Sequence, residues 1–323
     1  MQHDIPLVHL DSCRWLKHNP MPEHTKTLYA TPTRDDLAVC ICYFSYCRYK
    51  KTLRNILTVL QDLREANIPH YVIELLYPNQ TSVVPNPHKI VHAETVMFHK
   101  ENLHNVLEPH IPSKYSKLLF LDADVRFTIP DWYDQTSHIL DNATVMQPMG
   151  VSSWISFCKH TVAYGALQCP NQLLGLVEYH PGFAIGITRS VFHAIGGLYD
   201  RTVLGAGDSL FWDSMIRATG HPGIRSKYMT HVDYALQGDY FSEYKDRCTQ
   251  NQSSIKIGCL SHNIATHMPH GARENRRYSD RSNGWNIDDY DIYKNSDGVY
   301  EWSDKKYDKL AKEYFINRKE DED

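Results

Sequence analysis

Apolar residues in this chain gather into short unbroken runs, separated by stretches with helical spacing. That alternation predicts a layered α/β fold. Residues 37–43, Leu-Ala-Val-Cys-Ile-Cys-Tyr, form the first run. A run with no polar interruption fits a strand covered on both faces, as in a parallel sheet. Leu53, Ile56, Leu57, Leu60 and Leu63 follow at helical spacing, and Asn67 and Pro69 end that helix. Residues 71–77 return to an apolar run that closes at Pro78. Strand, helix and strand in this order make a right-handed βαβ unit, so the chain opens like a nucleotide-binding half.

The punctuation continues. Residues 89–93 predict a weaker strand, and 97–107 a helix with Phe98, Leu103, Val106 and Leu107 inward. Lys100 and Glu101 on that helix read as a solvated charged face. Residues 117–121, Lys-Leu-Leu-Phe-Leu, predict a strand buried on both faces that runs into Asp122-Ala123-Asp124-Val125. A helix is expected from Asp131 through Leu140 and a strand over 144–148. Residues 151–180 look irregular and aromatic-rich. A strand over 181–187 carries Gly182 and Gly186; glycine in a strand often marks the close approach of a ligand or backbone. A helix over 189–194 ends at Gly196-Gly197, and a turn at Gly205 and Gly207 leads into a helix after Asp208. From about Ser303 a last helix aligns Tyr307, Leu310, Ala311, Tyr314 and Phe315, and the charged tail 318–323 reads as frayed. Residues 1–34, with Pro6, Pro20, Pro22 and Pro32, read as an extended arm. Residues 35–285 would be the main domain, and 286–323 a helical extension packed on it.

At 323 residues, 42% apolar and 22% charged, the composition is that of a globular chain. A net charge of −4 disfavours a nucleic-acid partner. The first strand is followed by neither a G-x-G-x-x-G nor a P-loop lysine motif, which disfavours dinucleotide enzymes and P-loop ATPases. None of the eight cysteines forms a C-x-x-C pair, so reduced thiols in a cytoplasmic protein are expected. No apolar run approaches a transmembrane segment and no signal peptide is visible, which agrees with that location.

The chemistry gathers at four places. Asp122 and Asp124 arrive at the carboxyl end of a buried strand, where open parallel sheets bind ligands. Period-two geometry would point both to one side, a seat for a hard divalent cation. His267 and His270 stand three apart across Pro269, and a turn there lets both reach one metal. Arg273, Arg276, Arg277 and Arg281 follow, as a diphosphate clamp or a solvated face. Asp208 reads as a helix N-cap and also as a carboxylate at the lip of a pocket, kept ionised by the helix dipole.

Taken in order, these motifs resemble the glycosyltransferases of the GT-A fold, over roughly residues 37–321. That Rossmann-like α/β fold of nucleotide-diphospho-sugar transferases has a central, mostly parallel sheet flanked by helices. Residues 181–185 and 196–200 resemble the family-2 pattern before the acceptor helix. Gly205-Ala-Gly-Asp208 resembles the segment carrying the catalytic base, although the usual Glu-Asp pair is Gly207-Asp208 here. His267-Met-Pro-His270 resembles the late metal pair of family-7 galactosyltransferases. Residues 270–273 and 314–321 look like a family-2-like subgroup of bacteria and large viruses, which would allow a virus-encoded protein acting in host cytoplasm.

The resemblance implies a nucleotide-sugar donor lying over Asp122, Ala123, Asp124, Gly182 and Gly207. Asp124 would bind the metal, and Asp122 the ribose or a metal water. His267 and His270 would complete a shell better suited to Mn²⁺ than to Mg²⁺. Tyr43 and Phe44 would flank the nucleoside base and Glu74 would bond its edge. Asp208 would be general base in an inverting single displacement onto a glycan or glycoprotein hydroxyl, with residues 151–180 as acceptor-facing loops. Two rivals stand beside it. Asp122-Ala-Asp124-Val125 also fits the nucleophile motif of haloacid-dehalogenase-type phosphohydrolases, which normally opens its domain. The other rival is a sugar-nucleotide-binding module without turnover.

Overall fold

The computed structural model describes residues 29–156, 159–165, 179–221, 238–277, 281, 285 and 291–322. Its centre is a seven-stranded sheet built from β1 (Leu37–Phe44), β2 (His70–Leu76), β3 (Lys89–His92), β4 (Lys117–Leu121), β6 (Val145–Gln147), β10 (Ala184–Thr188) and β11 (Ile257–Cys259). The spatial order is β11-β6-β10-β4-β1-β2-β3. Only β10 is reversed, lying antiparallel to both β4 and β6. A second sheet, in the order β5-β12-β7-β8-β9, uses β5 (Val125–Phe127), β7 (Val151–Ser156), β8 (Lys159–Gly165), β9 (Tyr179–His180) and β12 (Ile264–His267). The described helices are α1 (Lys50–Glu65), α2 (Lys100–Leu107), α3 (Trp132–Ile139), α4 (Arg189–Ile195), α5 (Gly207–Ala218), α6 (Gly238–Gln250) and α7 (Lys305–Asn317). The expected mixed α/β architecture, a mostly parallel sheet flanked by helices, is present.

The apolar runs divide as a two-sided sheet demands. Along β1, Leu37, Val39, Ile41 and Tyr43 enter one core with α1, α3 and β12. Ala38, Cys40 and Cys42 enter the other, with α2, α4, α5, α6 and α7. In β4, Leu119 and Leu121 join the first core, and Leu118 and Phe120 the second. A lysine can open this buried strand because Lys117 Nζ donates to Asp36 Oδ2 (2.7 Å), Asp141 Oδ1 (2.5 Å) and Ser137 O (2.9 Å).

Two expectations are corrected. Much of 151–180 is paired strand rather than irregular loop: β7 and β8 run antiparallel from Val151↔Tyr164 to Ser156↔Lys159. Residues 157–158 and 166–178 lie outside the described residues. The C-terminal extension is more than helical, since β13 (Ile292–Lys294) and β14 (Tyr300–Trp302) form an antiparallel pair before α7. Of the expected arm, residues 1–28 lie outside the described part, while Thr33 and Arg34 donate backbone N–H groups to Asp134 on α3.

Leu119 is fully buried at the middle of the sheet. Leu119→Ala should therefore cost about 2–5 kcal/mol of stability, read as a lower urea midpoint at unchanged slope.

Candidate active site

Strand β4 stops at Leu121, and the chain turns over 122–124 before resuming as β5. Val125 N donates to Asp122 O (3.3 Å) across that turn. The two aspartates therefore ride a turn, and strand alternation does not govern them. They face different partners, which corrects the expectation that both point to one side.

Asp122 turns toward α2. Its Oδ1 lies 3.4 Å from Lys100 Nζ, which is also 3.4 Å from Asp208 Oδ2 and 3.5 Å from Glu101 Oε1. Lys100 and Glu101 are not a solvated face: the Glu101 side chain is 3% exposed and that of Lys100 16%. They begin α2, and in this layered fold the start of that helix abuts the carboxyl ends of the strands. Burial works against the Lys100 charge, but Asp122, Asp208 and Glu101 hold its pKa well above the ordinary value. Burial pushes Glu101 up to about 7 and Asp122 up to about 6, against the pull of Lys100. Asp208 goes the other way. Burial would raise it, yet Lys100, His180 and the Ser209 N–H hold it below the usual carboxylate range.

Asp208 is inside α5 rather than capping it. Ala206 occupies the N-cap position in a left-handed conformation (φ 83°) and provides no side-chain cap. Asp208 Oδ1 instead accepts from Ser209 N (2.7 Å) in the first helical turn. Two glycines make room for these carboxylates. A Cβ on Gly182 would lie 2.5 Å from Asp208 Oδ2, and one on Gly207 would lie 2.4 Å from Glu101 Cδ. The close approach foreseen at Gly182 is thus made by the protein's own side chains.

Asp124 turns toward β12. Its Oδ2 lies 2.6 Å from His270 Nε2 and 3.4 Å from His267 Nε2. One donor atom from each of the three residues falls within 4.8 Å of the others. Backbone pairing fixes this closeness: His267 is opposite Val125 of β5 and Trp154 of β7, and Met268 N donates to Asp124 O (2.7 Å). Asn55 on α1 steadies the following turn through Met268 O (3.3 Å) and Pro269 O (3.4 Å). One carboxylate and two imidazoles, converging and mostly buried, fit a borderline divalent cation. Asp122 stands outside this triad because its carboxylate is drawn to Lys100; that corrects its place among the expected metal ligands. Burial raises Asp124, but His267 and His270 outweigh it and hold Asp124 well below the ordinary value. Burial lowers His267 to about 4, and Asp124 only partly offsets this. For His270, burial and Arg276 push down, while Asp124 and Glu320 prevail and leave it raised.

An aromatic shelf borders the triad. Phe183 stacks on His267 (centroids 5.7 Å apart, 21°), and His180 lies 4.2 Å from Phe183 and 4.6 Å from Trp154. Arg273 covers the Trp154 ring at 5.4 Å. Arg276 Nη2 approaches His270 Nε2 (3.0 Å) and His267 Nε2 (3.4 Å), so at least these two arginines belong to the site.

The foreseen base-binding trio is not assembled. Tyr43 and Phe44 are consecutive residues at the end of β1 and enter opposite cores, so they cannot sandwich one ring. Glu74 is fully buried in mid-β2, where it accepts from Ser82 Oγ (2.5 Å) and Val83 N (2.9 Å). Its carboxylate is committed to the loop after β2. Sequence reasoning missed Lys100, Glu101 and His180 as site residues, while Arg276 was among the arginines read as a diphosphate clamp or a solvated face. For the first pair a signal existed, their place at the start of a helix between two strands. Ala123, between the aspartates, packs partly buried on the first core.

No protein-family model and no curated protein matches the chain. Among solved structures it is similar to the catalytic domain of Drosophila β1,4-galactosyltransferase 7 with xylobiose: 10% identity, 70% of this chain, 65% of that one, TM-score 0.35. A mutant of that enzyme with manganese, UDP-Gal and xylobiose matches at 9% identity, 86% of this chain and 99% of that one, TM-score 0.40. A Pyrobaculum calidifontis mannosyltransferase with GDP-Man and Mn²⁺ matches at 16% identity, 67% and 60%, TM-score 0.36. The chain spans less than two thirds of the length of the first and third of these. Similarities this loose carry no argument about chemistry.

Mn²⁺ should raise the melting temperature of the wild-type chain, with about 2.7 kcal/mol of stabilisation at a hundredfold excess over Kd. Asp124→Asn should abolish that shift in a thermal melt.

Proposed function

We propose that the chain is a GT-A-fold glycosyltransferase of family-2-like type, acting in the cytoplasm. It would move a sugar from a nucleotide-diphosphate donor to an acceptor hydroxyl with inversion. One observation carries this reading. Asp208, held beside Lys100, and a separate Asp124–His267–His270 cluster, from distant parts of the chain, flank the same turn at the carboxyl end of β4. Such an arrangement has a base for one substrate and a cation seat for the other.

Asp124, His267 and His270 would hold a divalent cation, Mn²⁺ by their donor set; when bound, it supplies Lewis-acid neutralisation of the departing diphosphate. Arg276, beside both imidazoles, adds positive charge on the same side. Asp208 takes the proton of the acceptor hydroxyl as that oxygen attacks the anomeric carbon. The donor sugar–phosphate bond breaks on the opposite side, which inverts the centre. Lys100 keeps Asp208 ionised and in place. We put the acceptor along the aromatic shelf, where Trp154 is half-buried and offers an apolar face to a sugar ring. The phosphohydrolase reading is weaker: its nucleophile would be Asp122, which faces Lys100 and lies outside the cation triad.

A thermal-shift screen of UDP-, GDP- and other sugar nucleotides, with and without Mn²⁺, tests the donor class. Mn²⁺-dependent stabilisation by one of them supports the reading, and its absence across the set overturns it. Asp208→Asn should lower transfer roughly 10²–10⁴-fold while leaving donor affinity intact. Lost donor affinity with retained turnover would remove the base role. The acid limb of kcat at saturating Mn²⁺ should lie below the usual carboxylate range, since activity is lost as pH falls through the Asp208 pKa. Because Lys100 lowers that pKa, Lys100→Met should move the limb to higher pH.

A further inference from the structure

The charged segment after α7, expected to fray, is packed into the protein. The Asp321 carboxylate accepts from Lys50 N (3.0 Å) and Lys51 N (2.8 Å), capping α1, whose N-cap residue Tyr49 provides no side-chain cap. Tyr49 Oη donates to Phe315 O and Ile316 O, each at 2.9 Å. Tyr314 Oη donates to Arg276 O (3.0 Å), and Asn275 Nδ2 to Arg318 O (3.3 Å). Gly271 has φ 59°, and a Cβ there would lie 2.9 Å from Glu320 Cα and 3.1 Å from Arg318 O. The backbone of this segment therefore rests directly on the His270 turn. Between these anchors Glu320 is 7% exposed, pairs with Arg318, and sets Oε1 3.4 Å from His270 Nδ1.

We propose that Glu320 is a positioning residue of the candidate cation centre. Its Oε1, 3.4 Å from Nδ1, would keep the ring proton on that nitrogen when a cation binds. Nε2, hydrogen-bonded to Asp124 Oδ2 at 2.6 Å in the metal-free chain, would then release its proton to solvent and ligate as the electron-pair donor. This rests on reading Asp124, His267 and His270 as a divalent-cation site. An imidazole ligates through one nitrogen while the other keeps its proton, and a carboxylate on that proton fixes the tautomer and the ring plane. Arg318 and the Asp321 cap hold Glu320 in register for that task. Among the described residues, Asp124, His267, Arg276 and Glu320 are charged or titratable groups beside the ring.

The test titrates Mn²⁺ alone into the full chain and follows free Mn²⁺ by electron paramagnetic resonance. Wild type, His270→Ala, Glu320→Ala, Glu320→Gln and the His270→Ala/Glu320→Ala double variant are compared, with the metal-free melting temperature of each. Glu320→Ala should weaken Mn²⁺ binding roughly 10–100-fold. Glu320→Gln preserves the shape and an acceptor for Nδ1–H; it should lose less, which separates positioning from loss of folding. The double variant should bind no worse than His270→Ala, because the effect passes through that ring. Unchanged Mn²⁺ affinity in both Glu320 variants, with affinity lost in His270→Ala, would overturn the Glu320 role and leave the cation site standing. A wild-type chain that takes up no Mn²⁺ would overturn the cation site itself and the Glu320 role with it.

Discussion

The site depends on one ammonium. Lys100 Nζ stands 3.4–3.5 Å from oxygens of Glu101, Asp122 and Asp208, which come from α2, the turn after β4 and the start of α5. Three carboxylates in so small and dry a space repel one another. At the effective dielectric of such sites, a unit charge pair at that distance is worth roughly 5 kcal/mol before desolvation. Lys100 stands nearly equidistant from all three and pulls each one down, while burial opposes it, and at Asp208 His180 and the Ser209 N–H add to its pull. Glu101 is pushed toward neutral pH and Asp208 is held below the usual range. Environments that drive neighbouring carboxyls apart in this way separate acid from base roles on one fold.

The second cluster follows a different logic. Asp124 is matched to two imidazoles, and its acidity is set by them more than by Lys100. Its partner His270 is 146 residues away in the chain, and their meeting relies on the pairing of β12 with β5 and β7. The two clusters meet at the turn that carries Asp122 and Asp124, and His180 borders both. The carboxylate facing Lys100 and the one facing the imidazoles are thus two residues apart on one turn of backbone.

The central strands were legible because burial on both faces leaves no room for polar interruption, and β1 shows none, nor does β4 after Lys117. The D-x-D, the His267–His270 pair and Asp208 were legible as residue types. Their partners were not. Lys100 and Glu101 form a charge pair on an amphipathic helix, a pattern that elsewhere faces water; what buries them is the seating of α2 on β1 and β2 with Asp122, Gly207 and Asp208 against its start, a long-range event. Glu320 and Asp321 sit in a run of charges that reads as frayed, yet Asp321 serves the uncapped start of α1, 271 residues earlier. Tyr43 and Phe44 failed as a pair for a local reason, because neighbours on a strand point to opposite faces. The second sheet went unseen since β5 and β9 are too short to carry a period.

The reversal of β10 has its own outcome. Running against β4, with Ala184 opposite Leu121, it begins where β4 finishes. The four residues before it are clasped on both sides: Phe183 O accepts from Asp122 N (2.9 Å), and Pro181 O from the Trp212 indole of α5 (2.9 Å). Residues 180–183 thus work as a spacer bar between the hinge with the paired aspartates and the helix bearing Asp208. The spacing between the hinge and α5 is written in the length of that bar, and one extra residue there would change it with Asp122, Asp124 and Asp208 all still in the chain.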